Sequence, residues 1–369
     1  MYLHELLQIK DFALPMDLHG TFSDNLKDVF DKYLLSLRNL TPCSQYLTCC
    51  QQVNQRIQDI QNIADAVIES INLYLSNEIV KSKICLDNLL FTYSADFRNL
   101  ITLVQTNESK SDQMKFFRVR KEDESGRLFS KAEMFHIPRG ERHNCVTYRY
   151  SSPGIPGLYL GASSFVCWEE MRQSPISKLQ IVELRMKKSA SLTFLDLGYS
   201  MSFIGRLLEN NVHSHTSGTW TKIIFPRILF FPLICAACIK TFYDKASFKE
   251  EYIIPQYLLE TPKANFGYDG IRYMSSRIDY NIYNSLLNTN FAFTADGLVT
   301  DDYSNKLLNC FDMSDVYKCK DLINHSRNPP TQQNHMTKIR LRGVMQHYDM
   351  TEFYKMDYLL SLSNFSKII

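Results

Sequence analysis

Phe116 to Arg120 reads FFRVR, and Met134 to Glu170 reads MFHIPRGERHNCVTYRYSSPGIPGLYLGASSFVCWEE. Aromatic and β-branched residues at close spacing predict strands at Phe116–Val119 and Thr147–Tyr150, with Arg118 in one arm of the pair and Arg149 in the other. The Pro/Gly-rich run from Ser151 to Gly157 predicts a turn, followed by a short apolar strand through Leu158, Tyr159 and Leu160. A helix over Phe165–Gln173 then carries two acids, Glu169 and Glu170. Each arginine is flanked by aromatics, Phe116 and Phe117 for Arg118, Tyr148 and Tyr150 for Arg149. That setting implies partial burial, where a guanidinium needs an anionic partner such as a carboxylate or a phosphate. Two such arginines, the aromatic Tyr159 and a carboxylate a dozen residues on make a candidate site for a phosphate-containing nucleoside.

Working outward, 369 residues suffice for one large domain or two. Hydrophobic content of 45% with 22% charged residues fits a globular chain. A net charge of +2 supplies no strong basic field, so a nucleic-acid partner is not expected. The ten cysteines are irregularly spaced among apolar residues, the pattern of reduced thiols in a cytoplasmic protein. The first residues, MYLHELLQIKDF, lack a basic region followed by an apolar run, so no secretory signal is expected. The apolar run from Ile228 to Ile239, broken by Pro232, is too short to span a bilayer and reads as a buried segment.

The N-terminal third reads as helical. Thr21 and Asp24 suggest a capping box ahead of Leu26, Val29, Phe30, Tyr33, Leu34 and Leu37. From about Ser44 to Ser76 one long helix is predicted, with Val53, Ile57, Ile60, Ala64, Val67, Ile71 and Tyr74 forming a narrow apolar seam that suits a helix hairpin or a bundle, with a homodimer through a second copy as a further option. A further helical region covers roughly Glu78 to Val104. The polar stretch Thr106–Met114 marks a domain boundary, giving a helical domain over 1–110 and a second domain over 111–369. In the second, short strands at Lys178–Met186, Leu192–Leu197, Ile271–Ser275 and Asn290–Thr294 interleave with helices without regular βαβ spacing. The expected class is therefore α+β with a mixed, mostly antiparallel sheet. A terminal helix is expected over Thr351–Ser363.

Other motifs weigh less. Cys235 and Cys238 have CxxC spacing inside an apolar run, without a second pair at zinc-site distance, and read as buried thiols. His213 and His215 lack nearby ligand partners and read as solvated; no metal is expected. No GxGxxG or GxxxxGK[ST] occurs. Arg342 and His347 have the spacing of a ribonuclease signature found on helical domains, but the surrounding RLRGV looks extended.

Read together, FFRVR, FHIP, TYRYSSPGIPGLYLG and CWEE, then FKEEYIIPQYLL and YDGIRYMSSR, resemble the RES domain of bacterial toxins. The resemblance spans about 116–295 in ordered pieces, with an insertion at about 190–245. Residues 1–110 resemble the helical extensions of longer members. The resemblance implies an ADP-ribosyltransferase-like fold and NAD as substrate. The implied activity is cleavage of the nicotinamide–ribose bond with water or phosphate as acceptor. Alternatives are protein ADP-ribosylation in the same pocket and non-enzymatic nucleotide binding by an interaction protein. Carried over by position, the family's arginines fall on Arg118 and Arg149, its tyrosine on Tyr159, its Glu on Glu170 and its Ser on Ser275. Glu170, Ser275 and Arg118 would be catalytic, and Arg118, Arg149, Tyr150 and Tyr159 would hold substrate. Glu169 and Ser276 are the neighbours most easily confused with these. A toxin further implies a cognate antitoxin, or restraint through residues 1–110.

Overall fold

The computed structural model describes residues 1–18, 20–105, 114–210, 218–240, 246–260, 265–278, 286–297, 301–330 and 337–369. The chain divides into two compact units, Met1–Thr102 with Leu195–Tyr268, and Leu103–Phe194 with Asp269–Ile369. Most of the segment expected as an insertion, from Leu195 onward, falls in the first unit, which runs on to Tyr268. His213 and His215 lie outside the described residues, as does most of the expected 106–114 boundary.

The first unit is helical. Its central helix, Ile57–Leu75, packs against helices Ile79–Thr92, Phe22–Arg38, Phe231–Ala237 and Ile253–Glu260. Val53, Ile60, Val67 and Ile71 are fully buried here, as the expected helix hairpin or bundle requires. The apolar run is covered too, with the Tyr33 ring packed at a tilt 4.2 Å from Phe231 and its hydroxyl donating to the Ile228 carbonyl at 3.1 Å. Helices Trp220–Leu229 and Phe231–Ala237 meet at a 69° bend beside Pro232, and no single described helix is long and apolar enough to cross a membrane. Cys235 and Cys238 are buried free thiols.

Three helical expectations need correction. The stretch from Ser44 to Ser76 contains two α-helices, Leu47–Gln55 and Ile57–Leu75, broken at Arg56, where φ is −110° and ψ 11°. Arg56 ties the break down through ion pairs to Asp59 and, at 2.7 Å, to Asp96. The region to Val104 ends as helix Ser94–Arg98 followed by a strand from Ile101. Thr21 precedes helix Phe22–Arg38, but its side chain makes no capping bond; Asn25 instead donates to the Thr21 carbonyl at 2.7 Å.

The strands are β1 (Ile101–Gln105), β2 (Lys115–Lys121), β3 (Gly157–Gly161), β4 (Leu179–Met186), β5 (Ser191–Leu197), β6 (Gly270–Met274) and β7 (Thr289–Thr294). After them come β8 (Phe311–Ser314), β9 (Tyr317–Lys318), β10 (Lys338–Leu341), β11 (Val344–His347) and β12 (Phe365–Ser366). Strands β1 and β5 run across the boundary between units. The large sheet has the order β1-β5-β6-β7-β3-β2-β4-β8-β12, with β9 beside β4. The pairings β2–β3, β2–β4, β3–β7, β4–β8 and β6–β7 are all antiparallel. The protein is thus α+β, as its segment pattern predicts. On one face Phe116, Leu158, Leu160, Val182, Leu184, Phe291 and Phe293 interdigitate in a closed core, as period-2 alternation requires. Phe116 meets Phe291 edge-on at 4.8 Å.

Arg342 and His347 sit on the β10–β11 hairpin. Arg342 occupies the turn with Gly343, and His347 pairs with Lys338 at the far end, roughly 15 Å of extended chain away. No helix face brings them together.

His136 braces the second unit in its neutral form. Its ring is 1% exposed, with Nδ1 2.9 Å from the Ile137 carbonyl and Nε2 accepting from the Ser304 N–H at 3.0 Å. Burial holds its pKa down at about 4 against an ordinary 6.5. Below pH 6.5 the unfolded chain gains a proton there while the folded chain does not, so stability falls as pH drops toward 4, by about 3 kcal/mol in all. Urea unfolding of the parent and of His136→Gln at pH 7 and pH 4.5 measures this. The parent should lose more stability than the variant, and equal losses would remove His136 as the cause.

Candidate functional site

Every residue singled out for the site lies in the second unit. Arg118 is on β2, Tyr159 on β3, and Glu170 ends the helix Ser164–Glu170 that follows β3. Ser275 follows β6 directly, its N–H donating to the Asn288 carbonyl at 3.2 Å. The register Tyr273↔Asn290 and Tyr159↔Ala292 places Tyr159, Tyr273 and Asn290 on the sheet face opposite the core residues Leu158, Leu160, Phe291 and Phe293. That face and the helix end converge on Glu170.

Glu170 is held from two sides. The Ser275 hydroxyl donates to Oε1 at 2.7 Å, and Asn290 Nδ2 donates to the same oxygen at 2.6 Å. Oε2 lies 3.7 Å from Arg277 Nε, while the side chain keeps 35% of its surface exposed. One carboxylate oxygen is therefore fixed by two donors, and the other is ion-paired with Arg277 on a side chain that stays partly exposed. Glu169 is different: it is buried, its pKa is raised by that burial, and it takes Gln173 Nε2 at 3.2 and 3.3 Å. Of the two adjacent acids, Glu170 is the one that reaches Ser275.

Arg118 is enclosed on most sides but keeps part of its surface open. Its Nη1 donates to the Tyr159 carbonyl at 2.9 Å, its Nε is buried without a hydrogen-bond partner, and among the described residues no carboxylate pairs with it. Burial, reinforced by the neighbouring Arg120 charge, lowers its pKa to about 9. The opening arises from the sheet itself. Strands β2 and β3 pair only at Phe117↔Gly161 and then separate, and Arg118 reaches across the gap.

Arg149 departs from expectation. Tyr148 and Ser151 close a tight turn, the Ser151 N–H donating to the Tyr148 carbonyl at 3.2 Å, so Thr147–Tyr150 is not a strand. Pro153 and Pro156 cannot donate to a ladder, and Gly154 adopts φ +76°, which bends the chain away from any partner strand. Arg149 and Tyr150 are nonetheless buried, and Tyr150 packs 4.4 Å from Tyr273. Tyr148 packs 5.1 Å from Tyr159. Tyr273 lies within electrostatic reach of Glu170, Tyr159, Tyr150 and Arg149, and Cys167 within reach of Glu170 and Arg118, whereas the register Arg118↔Val182 starts Arg118 from the core face of the sheet.

The helix bearing Glu170 is short for local reasons. Ser163 caps it, accepting from the Val166 N–H at 3.2 Å. At the other end Arg172 and Gln173 take φ of 57° and 52°, and Trp168 Nε1 donates to the Ser174 carbonyl at 2.9 Å, so the helix stops at Glu170 and not at the expected Gln173. Gly161 lets it lie close to the sheet: a Cβ there would sit 2.6 Å from both Cys167 Sγ and Val166 Cγ1.

Asn290, Arg277 and Tyr273 escaped the sequence reading. Asn290 opens the NFAFT strand, and Arg277 ends the YMSSR segment, but nothing in either segment announces that it faces Glu170. The available signal was a polar residue at the inward end of a strand otherwise built for burial.

No family model matches the chain, and no solved structure matches it. The chain is similar to a Bacillus subtilis (strain 168) protein named "Putative toxin YopC", 29% identical over 310 residues that cover 82% of this chain and 67% of that protein. The similarity supports a toxin-like relationship.

An enclosed guanidinium without a carboxylate partner should bind anions. Titration with inorganic pyrophosphate should show binding that Arg118→Gln weakens about tenfold or more, the loss expected for charge-assisted hydrogen bonds. Equal affinity in parent and variant would show that Arg118 does not meet the anion.

Proposed function

We propose that the chain is a toxin-like enzyme that consumes NAD+ by breaking the nicotinamide–ribose bond, as a glycohydrolase or a phosphorylase. One observation carries this reading: Glu170 is oriented by Ser275 and Asn290 through a single oxygen, in the same neighbourhood as the enclosed Arg118. A site that pairs a cation awaiting an anion with a partly exposed carboxylate is complementary to a molecule whose pyrophosphate lies beside a ribose that becomes positive during reaction.

The chemistry needs little from the protein in acids. Nicotinamide leaves as a neutral molecule, taking the electron pair of the C1′–N bond, so no proton has to be delivered to it. The barrier is the oxocarbenium-like charge on the ribose. Glu170 opposes that charge and receives bonds from ribose hydroxyls through Oε2, the oxygen beside Arg277, while Ser275 and Asn290 keep it in place before the substrate arrives. Arg118 and Arg149 take the pyrophosphate and set the register of the ribose against Glu170. Tyr159 offers ring surface to the nicotinamide riboside, while the fully buried Tyr150 backs Tyr273. Water adding at C1′ gives ADP-ribose and releases a proton; phosphate adding there gives the phosphorylated sugar. Ser275 acts through Glu170 and does not attack, since among the described residues no histidine base accompanies it. Uncontrolled NAD+ loss would harm the producing cell, which supports a cognate antitoxin as partner.

Purified protein incubated with NAD+, with and without phosphate, tests the reading by chromatography of nicotinamide and ADP-ribose products. Glu170→Gln keeps the shape and removes the charge, and should slow turnover by about 10²–10³-fold. Asn290→Ala, which leaves Ser275 in place, should cost about tenfold. A Glu170→Gln protein as fast as the parent would defeat the assignment.

A further inference from the structure

We propose that Asp357 is a positioning residue for Glu170, which makes the C-terminal helix Glu352–Ser361 part of the working site. The kinetic arm of its test rests on the NAD+ reading above; the structural arm does not. Glu170 ends a seven-residue helix whose first residue is Ser164. The Ser164 N–H donates to Asp357 Oδ1 at 3.1 Å, and the Ser164 hydroxyl donates to the Phe353 carbonyl, also at 3.1 Å. The Tyr348 hydroxyl donates to the other Asp357 oxygen, which fixes the carboxylate plane. The Phe353 ring packs against Phe165 at 5.5 Å and Trp168 at 5.2 Å.

A helix this short has no stability of its own, so its direction is set by whatever holds its first turn. Ser163 anchors it on one side by donating to the Leu287 carbonyl at 2.7 Å. Asp357 and Phe353 anchor it on the other. Ser164 and Glu170 are roughly 9 Å apart along the axis, so a tilt of about 10° at the first turn shifts the carboxylate by about 1.5 Å. Hydrogen bonds of 2.7 and 2.6 Å from Ser275 and Asn290 do not survive a shift of that size. Burial lifts the Asp357 carboxyl to about 7 against the pull of its Ser164 and Tyr348 bonds. A carboxyl placed there at such a cost answers to a geometric need.

The test uses full-length Asp357→Ala, Asp357→Asn and Tyr348→Phe. With NAD+ as substrate, Asp357→Ala should lose about tenfold or more in kcat with KM within about twofold of the parent, because the arginines are untouched. Asp357→Asn retains an oxygen for the Ser164 N–H and should recover most of the loss. Tyr348→Phe, which removes one bond and little volume, should fall between, and it carries the test if Asp357→Ala does not fold. A parent-like kcat in both Asp357→Ala and Tyr348→Phe overturns the proposal, as does a raised KM at unchanged kcat. If the parent itself leaves NAD+ intact, the functional reading fails, and a crystal structure of a folded variant decides the positioning role. A retained Ser275–Glu170 bond in it overturns the proposal, and a broken one upholds it.

Discussion

Everything proposed for this molecule depends on the hydrogen bond from Ser275 to Glu170. It joins residues on opposite sides of a long sequence separation, so the intervening chain must return in register for it to form. The register is set by β6 and β7, where Tyr273 pairs with Asn290, and by β3 and β7, where Tyr159 pairs with Ala292. A slip of one residue would turn Tyr273 and Asn290 into the core face and the phenylalanines outward. The closed core of Phe116, Phe291 and Phe293 makes that slip costly. The burial of apolar side chains on one face thus stabilises the placement of a carboxylate on the other.

The strands and the buried run were legible because each depends on local pattern. Leu179–Met186, Ser191–Leu197 and Gly270–Met274 are dense in apolar and β-branched residues, and Ile228–Ile239 cannot face water. What pattern could not supply was the effect of single distant contacts. Arg56 breaks a continuous apolar seam because Asp96, forty positions away, meets it there. Thr147–Tyr150 has the composition of a strand, but the prolines after it leave no ladder to join. Glu170 and Ser275, which meet, stand in ordered motifs, whereas Asn290 was not legible, because its role exists only in the pairing of β6 with β7 and the end of the short helix. The N-terminal helices and the segment from Leu195 form one unit for the same reason: the cover for Phe231 is Tyr33, and composition does not say which apolar faces will meet.

The two charges of the site are treated in opposite ways. Glu170 is partly exposed, receives two hydrogen bonds on one oxygen and lies beside Arg277 with the other. Arg118 is enclosed, receives nothing anionic from the described residues, and has its pKa pulled down to about 9 by burial. A buried charge left unpaired opposes folding, so the arrangement persists only because the surrounding sheet over-determines it. An anionic ligand relieves that cost at Arg118 but would meet repulsion at Glu170. The favourable pose therefore puts the anion at β2 and an electron-poor carbon at the helix end. In the proposed reaction, binding energy gained at the arginine would hold the sugar against the carboxylate, which is how a remote interaction can lower a barrier at a distant bond.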